Sequence, residues 1–258
     1  MTAAAAASEV TPFEFRSAST GGTATWYLRP AVEPLLPPLS PGTRVLDLGC
    51  GNGEWVGWFA TQGCVGVGVD PSASGIAIAR KHVQAEHPST RFETLLATPS
   101  VLQTLGEQPF DLVVSFEVVE HVYSAHEWAE TCRAALRPGG RLICSTPYHG
   151  YLKNLTLALA GKWDHHHQPL KDGGHVKFWA RDTLTQLLTE HGFDDITFRG
   201  AGRTPYLWKS MILSATAATG PGPAADSGSR SRTAGPAADS GSGRGQRVAV
   251  GGAGELEG

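Results

Sequence analysis

Apolar residues gather in short dense blocks, separated by stretches in which they recur every three or four positions. Val45, Leu46 and Leu48 form one block, Val65, Val67 and Val69 a second, and Leu112, Val113 and Val114 a third. Dense blocks of this length predict strands buried on both faces. They place strands at Arg44 to Leu48, Cys64 to Val69, Arg91 to Leu96, Phe110 to Phe116, Arg141 to Ser145, Asp194 to Arg199 and Leu207 to Leu213. The 3.6-residue spacing between them predicts helices over Glu54 to Gln62, Ser72 to Glu86, Ala125 to Leu136 and Arg181 to His191. Gly63 suits the C-cap of the first of these helices, and Pro88 stops the second. Pro138, Gly139 and Gly140 make the turn into the fifth strand. Strands alternating with helices at this spacing predict a parallel, doubly wound α/β sheet. Ligands of such sheets bind at the carboxyl ends of the strands.

The flanks read differently. Residues 1–12 are alanine-rich and are expected to be disordered, and Pro30 to Pro41 is proline-rich, with a helix predicted over Trp26 to Leu36. Residues 1–42 are therefore an N-terminal arm, either lying over a bound ligand or simply packing. From Ala215 onward the chain is Ala, Gly, Ser, Pro and Arg, with Gly222 to Ser229 recurring at Gly235 to Ser242. Residues 215–258 cannot bury a core and are expected to be disordered. Between the flanks, residues 43–214 form the expected folded domain. Residues 148–180 are too long for a bare connection and rich in Tyr, Trp and His, which suggests a lid that selects the substrate. Tyr148, Tyr151, Trp163, His167 and Trp179 are its candidate contacts. His165, His166 and His167 are adjacent and cannot all face one site, so a solvated lid loop is expected there.

The first strand runs directly into Gly49, Cys50, Gly51, Asn52 and Gly53. Three glycines in five positions let the backbone turn sharply and approach a ligand that a Cβ would push away. The pattern is Gly-x-Gly-x-Gly, not the Gly-x-Gly-x-x-Gly of dinucleotide sites, and no Gly-Lys-Ser/Thr follows. Asp47 precedes the first glycine, where a dinucleotide would gain nothing from an anion. Asp70 ends the second strand, ~20 residues past the loop, where nucleotide-binding βαβ units carry a ribose-binding acid. It is either a ribose acceptor or the N-cap of the helix starting near Ser72.

The stretch from Asp47 to Gly53 resembles motif I of the class I S-adenosylmethionine (SAM) methyltransferases. The Leu-Arg-Pro-Gly-Gly turn from Leu136 to Gly140 and the paired strands at the chain's end are similar to that family too. The resemblance implies a Rossmann-like seven-stranded sheet with an antiparallel last strand. It implies SAM as cofactor, with contacts at Asp47, Gly49, Cys50, Gly51, Gly53, Asp70, Pro71, Ala97, Phe116 and Glu117. Glycine-loop amides and an acidic residue complement the charges at the methionine end of SAM. Leu96, Ala97 and Thr98 offer no carboxylate, so adenine would rest on backbone near Ala97 and on packing.

Glu117, Glu120 and His121 follow the fourth strand. If this piece turns helical they share one face. Two carboxylates and an imidazole can hold a divalent cation, Mg or Zn, with His175 as a further ligand. Glu120 and His121 are then the catalytic candidates. With a metal, a substrate hydroxyl is polarised; without one, His121 is a general base near neutral pH; a purely structural role for the three is the remaining alternative. The Glu-x-x-Glu-His-Val run resembles the ubiquinone-biosynthesis type of O-methyltransferase, and more distantly the metal-using 2′-O-methyltransferases of small RNAs.

Charge and cysteine narrow the choice. Net charge is -3, so no bulk basic field points to nucleic acid. Cys50, Cys64, Cys132 and Cys144 show no metal-binding spacing and suit free thiols in a reducing cytoplasm. The sequence shows neither a signal peptide nor a membrane span. The expected function is methyl transfer from SAM to a small molecule, most simply to a hydroxyl oxygen. A metal-dependent RNA 2′-O-methyltransferase and a non-catalytic SAM-binding protein are the alternatives.

Overall fold

The computed structural model describes residues 14–15, 24–167, 169–170 and 174–220. The expectations for residues 1–12 and for the tail beyond residue 220 lie outside the described residues; residues 215–217, expected in the disordered tail, instead complete the last strand, with Ala215 and Ala217 fully buried. A seven-stranded sheet carries the fold, in the order β3-β2-β1-β4-β5-β7-β6. Its strands are β1 (Arg44–Leu48), β2 (Val65–Asp70), β3 (Thr90–Thr94), β4 (Phe110–Phe116), β5 (Leu136–Pro147), β6 (Phe193–Ala201) and β7 (Ser210–Ala217). β1 lies between β2 and β4, parallel to both, and β7 runs antiparallel between β5 and β6. The expected α/β architecture and antiparallel last strand are both present.

Alternate side chains of each central strand pass to opposite helix layers. Leu46 and Leu48 pack with α5 (Ala125–Ala135) and α8 (Arg181–Glu190) on one face. Val45, Leu112 and Val114 pack with α1 (Thr25–Val32) and α2 (Glu54–Thr61) on the other. A buried latch joins the layers: Trp128 donates its indole N–H to Ser115 at 3.1 Å, and Ser115 donates to the Leu48 carbonyl at 2.9 Å. This fixes the spacing of β1 and β4 where the site begins.

Some elements differ from expectation. α3 (Ala73–Ala79) continues as a π-helical segment over Arg80–Gln84. β5 starts at Leu136 because that residue already pairs with Phe110. The Arg137–Gly140 turn then bulges out before pairing resumes between Leu112 and Arg141. A short α4 (Val101–Leu105) follows β3, and the segment after β5 is not a bare loop. It contains α6 (Tyr151–Leu159) and α7 (Trp163–His167). All four cysteines are buried free thiols. Among the described residues no helix is long and apolar enough to cross a membrane.

Candidate active site

The site forms at the carboxyl ends of β1, β2, β4 and β5. The glycine loop leaves β1 with Gly49, Gly51 and Gly53 all at positive φ, 84°, 53° and 83°. A side chain fits at none of them. A Cβ on Gly51 would stand 2.7 Å from the Phe15 ring, and one on Gly53 2.7 Å from Phe92 and 2.8 Å from Ala79. A Cβ on Gly49 would collide with Val118. Phe15, from the arm, therefore lies on the glycine loop, and its backbone N–H donates to Ser74 at 3.0 Å.

Asp70 ties the loop to β2. One carboxylate oxygen accepts from the Gly51 N–H at 2.9 Å and the other from the Ser72 N–H at 2.7 Å. Ser72, not Asp70, caps α3, accepting from the Gly75 N–H at 3.2 Å. Burial raises the Asp70 pKa, and the two amides pull it back. Asp47 is 2% exposed, with a carboxylate oxygen that has no hydrogen-bond partner among the described residues. Burial, reinforced by the charge of Asp70, pushes its pKa up to about 8. A loop without room for side chains, floored by an orphaned buried carboxylate oxygen, fits a ligand with a cationic group. Cys50 and Phe116 are buried, the latter with its ring 4.3 Å from Trp55. Pro71 is exposed beside the loop, and Ala97 is half-buried after β3.

Glu117 turns the chain out of β4 at φ 56°, a left-handed conformation uncommon outside glycine. Its carboxylate accepts from Ser145 at 2.8 Å and from Ser210 at 3.2 Å. The Ser210 hydroxyl also pairs with Tyr27 at 3.0 Å. Burial raises the Glu117 pKa, the two serine hydroxyls and Lys153 opposing it. Burial, then the charge of Glu117, raises the Tyr27 phenol to about 12.

Glu120 is 1% exposed, and neither carboxylate oxygen has a hydrogen-bond partner among the described residues. Burial, then the charge of Glu117, raises its pKa well above the usual carboxylate range. Ligand atoms of Glu120, His121 and His175 all lie within 4.8 Å of one another. The two imidazole rings are 4.9 Å apart, and His121 Nδ1 is 3.3 Å from the Gly174 carbonyl. The Glu120 carbonyl accepts from the Val176 and Lys177 N–H groups at 2.9 and 3.1 Å, which holds His175 in place.

Three of the four residues expected at a metal thus meet. Glu117 does not join them, because the Ser145 and Ser210 hydroxyls take its carboxylate away. The lid candidates also separate. Trp179 donates its indole N–H to the Val119 carbonyl at 3.2 Å. Tyr148 packs on Trp208 and Phe198 at the sheet edge, and Tyr151 is 81% exposed. The Trp163 and His167 rings meet at 4.3 Å, tilted by 57°. The expected solvated histidine loop is instead helix α7, which turns His166 and His167 toward buried His149. Sequence reasoning missed Tyr27, Ser145, Lys153 and Ser210. Ser145 alone carried a signal, as the last residue of a predicted strand.

The sheet order, the glycine loop and the acid closing β2 together define a nucleoside-binding methyl-transfer fold. A family model described as a methyltransferase domain matches residues 24–197. Over 169 residues the chain is 36% identical to the ubiquinone biosynthesis O-methyltransferase of Roseobacter denitrificans, covering 65% of this chain and 66% of that protein. Over 175 residues it is 34% identical to the protein of the same name from Cereibacter sphaeroides, covering 67% and 69%. The alignments thus span about two thirds of those relatives. Among solved structures, Haemonchus contortus phosphoethanolamine N-methyltransferase 2 in complex with SAM aligns with TM-score 0.54 at 16% identity, covering 74% of this chain and 52% of that one. A SAM-dependent methyltransferase from Archaeoglobus fulgidus aligns with TM-score 0.50 at 17% identity, covering 68% and 86%. The two structures share the fold. The chain belongs to the class I SAM-dependent methyltransferases.

Proposed function

We propose that this protein transfers a methyl group from SAM to a hydroxyl oxygen of a small molecule, within a domain that ends with β7 at Ala217. The observation that carries the reading is the glycine loop held by Asp70 beside the orphaned Asp47 carboxylate, with the Glu120, His121 and His175 cluster after β4. The relatives named for ubiquinone biosynthesis support oxygen as the acceptor atom.

Asp70 has lone pairs left beyond the two amides it accepts, enough to receive ribose hydroxyls. Gly49, Cys50, Gly51 and Gly53 offer backbone to the methionine end, and Asp47, giving up its proton as the cation binds, offsets its positive charge. Pro71, Ala97, Phe116 and Glu117 border the remainder. Bound there, SAM supplies an electrophilic methyl on a sulfonium. The chain's task is then to align an acceptor oxygen and remove its proton, and positioning alone contributes much of the rate. His121 is 40% exposed at the side chain; were no ion bound, its imidazole would be accessible to take that proton. Glu120, His121 and His175 would hold a divalent ion, Mg or Zn, for which a buried carboxylate and two imidazoles are suitable donors. Such an ion lowers the pKa of a coordinated hydroxyl. The four free thiols suit a reducing cytoplasm, where we place the reaction.

The test is incubation of the full chain with methyl-labelled SAM and fractionated cell extract, with and without EDTA. Label in the organic-soluble fraction, lost with EDTA, is expected. Label in RNA, or none despite SAM binding, would overturn the reading.

A further inference from the structure

A second set of imidazoles is drawn together in the segment that follows β5. His149 comes just after the strand, and His166 and His167 come from α7. Their ligand atoms all lie within 4.8 Å of one another. His149 is 6% exposed, and neither of its ring nitrogens has a hydrogen-bond partner among the described residues. Nε2 of His167 is likewise buried without one. The rings sit close: 5.5 Å between His149 and His167, 5.7 Å between His149 and His166, and 5.0 Å between His166 and His167. Phe178 covers His149 at 5.0 Å and His167 at 4.6 Å, and Trp163 covers His167 at 4.3 Å.

Buried imidazole nitrogens normally find partners, and an unpartnered one carries a desolvation cost. Here unpartnered nitrogens of His149 and His167 meet the His166 imidazole under an aromatic cover. We propose that His149, His166 and His167 form a three-histidine site for an imidazole-preferring divalent ion of the zinc type, which ties α7 to the end of β5. Three imidazoles satisfy most of a tetrahedral shell and leave one position for water or a further ligand.

Neighbouring residues on a helix point about 100° apart, so two adjacent histidines meet one ion only on the helix flank. His149, from a different element, closes that flank, while His165 is exposed. Burial, then the charge of Lys153, holds His149 near 3 and His166 near 4, with His167 also lowered. The imidazoles therefore keep their lone pairs at neutral pH. An anion is the competing occupant. It would have to rest on Lys153 and Arg203, because neutral imidazoles bring no charge.

The test uses the full chain with the other cluster removed, as a His121→Ala/His175→Ala variant stripped with EDTA. Titration with zinc chloride by calorimetry should show one equivalent bound, and cobalt chloride should give the visible absorption bands of tetrahedral coordination. Adding His167→Gln or His149→Gln should weaken zinc binding by about tenfold or more, since even outer-shell changes cost that much. His149→Gln separates the site from adventitious binding by the exposed histidines. Circular dichroism checks its fold, and His167→Gln, on a half-buried helix flank, decides if it does not fold. Undiminished zinc affinity in the folded variants would overturn the proposal. So would thermal stabilisation of the EDTA-stripped protein by inorganic phosphate but not by zinc.

Discussion

The Asp70 carboxylate accepts the backbone N–H of Gly51 at 2.9 Å while its second oxygen accepts that of Ser72 at 2.7 Å. One side chain thus joins the loop after β1 to the helix start after β2. Replacing Asp70 by Ala removes two charge-assisted bonds and the ribose acceptor together. Each such bond contributes about 1.5–3 kcal/mol, so SAM affinity should fall by at least ~10-fold. Calorimetric titration with SAM checks this, and an unchanged dissociation constant would remove Asp70 from the site.

Gly53 and Gly42 make a controlled pair. Both have positive φ, 83° and 88°, but a Cβ at Gly53 meets Phe92 and Ala79 below 3 Å, whereas one at Gly42 meets nothing within 4 Å. Gly42→Ala should cost only backbone strain, about 1 kcal/mol. Gly53→Ala should add overpacking of about 1–3 kcal/mol and disturb the loop. Urea unfolding of the two variants checks the order.

Asp47 predicts a pH slope. Its folded pKa is raised from 3.8 to about 8. Between those values an unfolded chain ionises this carboxyl while the folded protein holds the proton. Its contribution is fully present below the unfolded value and is lost as pH rises through about 8. The Asp47→Asn variant lacks that loss. Its melting temperature should therefore gain on the wild type as pH rises from 5 to 8, while its SAM binding weakens. Thermal scans across that range check the sign.

His121 stands beside Glu120 and His175, away from Asp70 and the glycine loop in sequence. His121→Ala should leave SAM affinity unchanged and lower turnover by about 10²–10⁴-fold, the usual share of a positioned acid or base. Equal turnover in the variant would remove His121 from the reaction.

Much of this fold was legible because short apolar blocks bounded by Gly and Pro suit buried strands. β1 and β4 begin and end where the pattern places them, and the glycine loop is local in sequence. The π-helical Arg80–Gln84, none of whose residues is fully buried, left no trace in the apolar spacing. The early start of β5 depends on a pairing of Leu136 with Phe110 that spacing cannot show. The partners of Glu117 come from the ends of β5 and β7, so only the strand register brings Ser145 and Ser210 to it. For the same reason the serine partners of Glu117, which was expected at the metal, could not be foreseen. His149 lies 17 and 18 residues from His166 and His167 by their numbering, and only the folding of α6 and α7 closes that distance. The Gly-x-Gly-x-Gly loop and Asp70 were readable because their function needs few residues at fixed spacing.

The most direct measurement is carbon NMR of the product formed from SAM labelled with ¹³C at the methyl group. An O-methyl resonance on a small molecule is the result this account predicts. A label on nitrogen, carbon or RNA would contradict it.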